Sequence, residues 1–184
     1  MMARQWRLMS ILLVIAAISS ACGAAPAAAG PVVARLTAND PTEDVLKNGA
    51  YDVKDLDPLT LQNGAYEKKY GDGASMVNKV GYLNSAIGDL DKDGKKDAAV
   101  VLWANTGGSG TFIYLFAVTN KSKTLYQAGS IMIGDRTQVK SMAIDGGKIV
   151  LQVVDFGPND PKCCPSLNKT RTFQLQAGTL SEVQ

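Results

Sequence analysis

The sequence predicts an all-β fold, a single domain built as an antiparallel β-sandwich or a twisted β-meander. Three observations predict it. Runs of apolar, β-branched and aromatic residues recur at short intervals, each closed by Gly, Asn or Asp turn residues. One of them, Ala98 to Ala104 (AAVVLWA), is apolar without a break, as a strand buried on both faces would be. Only one short stretch, Asp40 to Lys47, has helical character, with Pro41 and Glu43 suited to a first turn after a capping Asp40.

Before the domain comes a leader. Arg4 and Arg7 make a short basic segment, and Leu8 to Ile18 is apolar apart from Ser10. These 11 residues would rise about 16 Å as a helix, against roughly 30 Å of bilayer hydrocarbon. That length fits the core of a secretory signal peptide. Ser19-Ser20-Ala21-Cys22 then resembles the lipobox of bacterial lipoproteins, which are cut ahead of the cysteine. The family usually carries Leu three residues before that cysteine, where this chain has Ser19. The resemblance implies lipidation at Cys22 and an exported protein held at the outer face of a membrane, in the cell envelope. Cleavage after Ser19-x-Ala21 by ordinary signal peptidase is the other reading, and it leaves a secreted protein. The expected organisation is a signal peptide (1–21), an anchor cysteine with a flexible Ala/Pro/Gly linker (22–39), and one β domain (40–184).

Charge narrows the function. The chain has 19 Lys and Arg against 17 Asp and Glu, and Arg4 and Arg7 leave with the leader, so the mature part is neutral. A nucleic-acid binder would carry a basic excess. Histidine is absent, which removes the commonest general base near neutral pH and the commonest zinc ligand.

Within the domain, Leu59 to Leu61 runs to Asn63-Gly64 and on to Ala65-Tyr66. Asn-Gly is a strong hairpin marker because both residues accept positive φ. Nearly the same string stands 15 residues earlier, Leu46 to Tyr51 against Leu61 to Tyr66, either a small duplication or two similar turns. Thr111 to Thr119 should pair antiparallel with Ala98 to Ala104 across Gly107-Gly108-Ser109-Gly110. Leu125 to Ile133, Val139 to Ile144, Ile149 to Phe156 and Thr170 to Leu175 read as further strands. Gly146-Gly147 and Ala177-Gly178 mark turns among them.

The most specific chemical motif is Asp89-Leu90-Asp91-Lys92-Asp93-Gly94-Lys95-Lys96-Asp97, of the form D-x-D-x-D-G-x-x-D. Calcium takes six to eight hard oxygens, and carboxylates at alternate positions of a tight loop converge on one ion. Asp89, Asp91 and Asp93 would ligate directly. Gly94 permits the turn, Lys95 offers its carbonyl, and Asp97 binds directly or through water. Val100 stands where an EF-hand has its bidentate Glu. The motif resembles the calcium loops of FG-GAP-type β repeats, in which a G-D-x-x-x-D-G-x-x-D string precedes an apolar strand. Calcium is the ligand this resemblance implies. The bland reading is a solvated acidic turn balanced by Lys92, Lys95 and Lys96.

Cys163 and Cys164 are adjacent, inside Gly157-Pro158-Asn159-Asp160-Pro161-Lys162-Cys163-Cys164-Pro165. In an oxidising compartment they have only each other within the mature chain beyond Cys22. A vicinal disulfide, free or intermolecular thiols, and a redox or soft-metal role all remain open. Gly88 to Thr119, Gly134-Asp135-Arg136 with Val139-Lys140-Ser141, and the Gly157 to Pro165 string together resemble a domain of uncharacterised bacterial lipoproteins. That domain occurs alone or beside META-type (HslJ-like) envelope domains. The resemblance implies an envelope setting and no catalytic role. Ser109 fits a hairpin turn, because Thr111 replaces the second Gly of a nucleophile elbow and no His is present as base. The expected function is therefore a non-enzymatic, lipid-anchored module. It would hold a structural calcium ion and face an extracellular or envelope protein or glycan. A thiol redox or soft-metal role for Cys163 and Cys164 is the alternative.

Overall fold

A strand apolar at every position has to be covered on both sides. In the computed structural model the strand Asp97–Asn105 (β6) is covered in that way. Residues 31–35, 40–70 and 76–183 are described. The signal peptide, Cys22 and the spacer up to Gly30 lie outside them. Ala98, Val100, Leu102 and Ala104 enter one apolar cluster, while Ala99 and Val101 enter a second. The next strand, Phe112–Lys121 (β7), divides in the same way: Tyr114, Phe116 and Val118 face one cluster, Ile113, Leu115 and Ala117 the other.

These two strands form the centre of a six-stranded antiparallel sheet. Its other members are Val32–Arg35 (β1), Ala65–Lys69 (β4), Val77–Gly88 (β5) and Thr124–Asp135 (β8). The order across it is β1-β8-β7-β6-β5-β4. One face is capped by the N-terminal segment. There the helix Glu43–Lys47 (α1) and the pair Ala50–Tyr51 (β2) and Leu59–Thr60 (β3) contribute Leu46, Tyr51, Val53, Leu59 and Leu61. Gln127 of β8 fastens this cap by accepting from the Asp52 N–H at 2.9 Å and donating to its carbonyl at 3.0 Å. The other face carries a four-stranded antiparallel sheet made of Gln138–Asp145 (β9), Lys148–Asp155 (β10), Leu167–Gln176 (β11) and Thr179–Val183 (β12). Ile149, Leu151, Val153, Phe173 and Leu180 fill the second cluster from this side.

The two edge strands of the four-stranded sheet meet inner strands of the six-stranded one, β9 against β5 and β12 against β8. A glycine sits at each corner because a side chain there would strike the opposite strand. A Cβ on Gly88 would lie 2.7 Å from the Ile144 Cβ, and one on Gly129 would lie 3.1 Å from the Leu180 nitrogen. The all-β antiparallel, sandwich-like fold expected from the sequence is what forms.

Four details differ from the sequence reading. First, β1 falls inside the stretch assigned to the linker. Val33 is buried, and the Pro31 carbonyl accepts from the Gln127 N–H at 2.9 Å, so the β-branched pair after the spacer belongs to the fold. Second, the helix is capped by Thr42 and not Asp40. The Thr42 hydroxyl accepts from the Val45 N–H at 3.3 Å, while Asp40 pairs with Lys96 at 2.7 Å. Third, the two Asn-Gly strings are not alike. Asn63 and Gly64 make a tight turn with φ of 50° and 83°, whereas Asn48 ends α1 at φ −115°. The strings lie side by side, with the Asn48 side chain accepting from the Asn63 N–H at 2.9 Å. Fourth, β5 and β12 form where the sequence pattern marks no strand.

Candidate functional site

The acidic motif is the connection between β5 and β6. Lys92 and Gly94, at φ 62° and 81°, bend it back on itself. Asp97 is the first residue of β6, with none of its surface exposed. Its Oδ2 accepts from the Leu90 N–H at 2.9 Å and the Asp91 N–H at 3.3 Å, and its Oδ1 accepts from the Asn120 N–H at 2.8 Å. One carboxylate thus ties the acidic loop to the end of β7. Burial pushes the Asp97 carboxyl above the ordinary aspartate range, against the pull of those three N–H donors.

The remaining aspartates shape the loop. Asp89 accepts from the Asp93 N–H at 3.1 Å and the Gly94 N–H at 3.0 Å. Asp91 accepts from the Asp93 N–H at 3.2 Å and from the Lys121 ammonium at 2.5 Å. Asp93 turns to Lys95, whose N–H it accepts at 2.9 Å and whose ammonium it meets at 2.5 Å. The Lys95 side-chain bond draws the Asp93 carboxyl below the usual aspartate range.

Of the residues read as metal ligands, the structure brings together Asp89, Asp91 and Asp97. Each offers an oxygen, and these oxygens lie within 4.8 Å of one another. Asp93 stands apart with Lys95. The group the sequence did not reveal is Lys121. It arrives from 30 residues away on β7, and its pKa is raised by its bond to Asp91. Three carboxylates facing one another call for a positive charge, and in this structure one ammonium supplies part of it. The donor set is all oxygen and compact, which suits a hard divalent cation.

The other sequence candidates gather at the opposite end of the sandwich. Cys163 and Cys164 are joined by a disulfide and exposed. Asp160 holds their loop, accepting from the Gly157 N–H at 2.7 Å, the Ser166 N–H at 2.7 Å and the Ser166 hydroxyl at 2.8 Å. Arg136, between β8 and β9, donates to the Ser109 carbonyl and, at 3.3 Å, to the Lys162 carbonyl. It also pairs with Asp135 at 2.6 Å. The strings around Ser109, Arg136 and Cys163, far apart in sequence, therefore meet in one place. Ser109 lies on the turn between β6 and β7, with its carbonyl engaged there.

Comparison with protein-family models, curated proteins and solved structures finds no match to this chain. Its function has to be argued from the site itself.

Proposed function

We propose that the chain is an exported, lipid-anchored envelope protein, non-enzymatic, whose loop between β5 and β6 binds calcium. The observation that carries this reading is the convergence of the Asp89, Asp91 and Asp97 carboxylates within 4.8 Å. Asp93 and the Lys95 carbonyl would complete the ligand set by turning inward from the same loop. The ion's role is structural: it offsets the carboxylate repulsion and fixes where β6 enters the middle sheet. The neutral mature chain and the absence of histidine agree with a module that binds and does not catalyse. The leader sequence supports anchoring at Cys22, with a protein or glycan of the envelope or the extracellular space as partner.

The experiment is a thermal melt of the domain in chelator and in calcium. An ion that binds the folded state only stabilises by RT ln(1 + [L]/Kd), about 2.7 kcal/mol at a hundredfold excess over Kd. The melting temperature should rise with calcium and much less with magnesium, which demands a smaller octahedral shell. Asp91→Ala should abolish the rise while leaving the melt in chelator near that of the wild type. A wild-type melt identical in chelator and in calcium of about 10⁻² M, ten times the weak end of the extracellular range, refutes the reading.

A further inference from the structure

We propose that the Cys163–Cys164 disulfide is a reversible thiol-exchange site, whose substrate is the dithiol or disulfide of a protein partner. The site is independent of the acidic loop and lies at the other end of the sandwich. A bridge between sequence neighbours closes almost no chain, so it removes little entropy from the unfolded state and adds little to stability. Beyond that small ring, other contacts hold the loop. Asp160 already gathers Gly157 and Ser166, the Cys164 N–H donates to the Pro161 carbonyl at 2.9 Å, and Arg136 reaches across to the Lys162 carbonyl. Pro158, Pro161 and Pro165 stiffen the same stretch. The disulfide therefore sits on a support that does not depend on it. Both cysteines face solvent, where a partner's thiol can reach them.

The surroundings favour the chemistry. Arg136 and Lys162 line one hollow with Asp135, Phe156 and Asp160. Asp135 is engaged by Arg136 and by the Thr111 N–H at 2.8 Å, and Asp160 by Gly157 and Ser166. Of the lining residues only Lys162 adjoins the pair, standing directly before Cys163, and a cation beside a cysteine stabilises its thiolate, the form that leaves and attacks in exchange. In the reducing direction, a thiolate of the partner dithiol attacks one sulfur of the pair. The Cys163–Cys164 bond breaks, a mixed disulfide forms, and the other cysteine departs as a thiolate and takes up a proton. The partner's second thiolate then displaces the first cysteine, which is protonated in turn. The partner ends as a disulfide and this chain as two thiols, with two electrons and two protons transferred. The reverse sequence oxidises the partner's dithiol.

The test incubates the folded oxidised domain in mixtures of reduced and oxidised glutathione, traps thiols by alkylation and counts them by mass. Melting curves of the oxidised and reduced forms are compared alongside. Exchange predicts that both thiols appear in the reducing mixtures without denaturant, disappear again in the oxidising ones, and leave the melting temperature unmoved. Structural disulfides resist the glutathione pool. A bridge that stays oxidised until the chain unfolds, or a fold that melts early once reduced, would overturn the proposal. So would a pair that fails to reoxidise.

Discussion

Asp97 and Lys121 divide the acidic site between a permanent role and an exchangeable one. With no exposed surface and three backbone N–H groups donating to it, Asp97 is part of the fold whether or not an ion is present. Each buried donor left without a partner costs about 1–3 kcal/mol. Asp97→Ala should therefore lose at least about 2 kcal/mol in urea unfolding, with chelator present throughout. An unchanged midpoint in chelator would show that Asp97 matters only through metal. Lys121 behaves differently. Its side chain is half exposed, and its ammonium holds Asp91 by a contact that calcium would have to displace. Exposed ion pairs are worth about 0.2–1 kcal/mol. Lys121→Met should accordingly tighten calcium binding by up to about fivefold in calorimetric titration, and equal or weaker binding would count against displacement.

The loop Gly157 to Ser166 shows how one carboxylate organises an element. Donors from Gly157 first, and then from Ser166, draw the Asp160 carboxyl below the ordinary aspartate range. A depressed acid pKa stabilises the folded loop fully above the unfolded value of about 3.9 and loses that contribution as pH falls through the folded one. The protection factors of the Gly157 and Ser166 amides, taken against the intrinsic exchange rate at each pH, should thus hold near neutral pH and fall below about pH 4, before the sandwich itself opens. Protection at these two amides that is unchanged down to the acid transition of the whole domain would contradict this. Other elements were plain in the sequence. The apolar run of β6, its partner β7, and the turns at Gly146-Gly147 and Ala177-Gly178 all follow from alternation and turn chemistry. β5 did not, because Asn78, Lys79, Gly81, Asn84 and Ser85 break the apolar pattern. Gly81 is covered by Trp103 of β6, so a neighbour supplies the apolar surface that its own position lacks. The turn Ser122-Lys123 carries no sequence signal either, since both residues take positive φ without Gly or Asn. For the acidic site, the ligand spacing was legible. Which carboxylates converge was not, because that depends on Lys95 drawing Asp93 aside and on Lys121 arriving from β7.

At the scale of the whole molecule, the middle sheet holds two chemically distinct ends apart. The turns between β5 and β6, between β7 and β8, and between β9 and β10 share one end. There Asp97 meets Asn120, and Lys92 lies against Gly147. The other end carries the turn between β6 and β7, Arg136 and the disulfide loop. Two buried apolar clusters separate them, so events at one end should leave the other undisturbed. Calcium binding to the first end can be followed by titrating the isotope-labelled domain with calcium and recording its amide resonances. Saturable shifts are expected at Asp93, Gly94 and Lys95, whose N–H groups now donate to the ligand carboxylates, and at Asn120 and Lys121, with Gly157 to Ser166 unmoved. The midpoint should fall near 10⁻⁴ to 10⁻³ M, about the range of extracellular calcium modules. Amides at 89–97 that do not move in calcium of about 10⁻² M, or small shifts scattered over the whole surface, would contradict it.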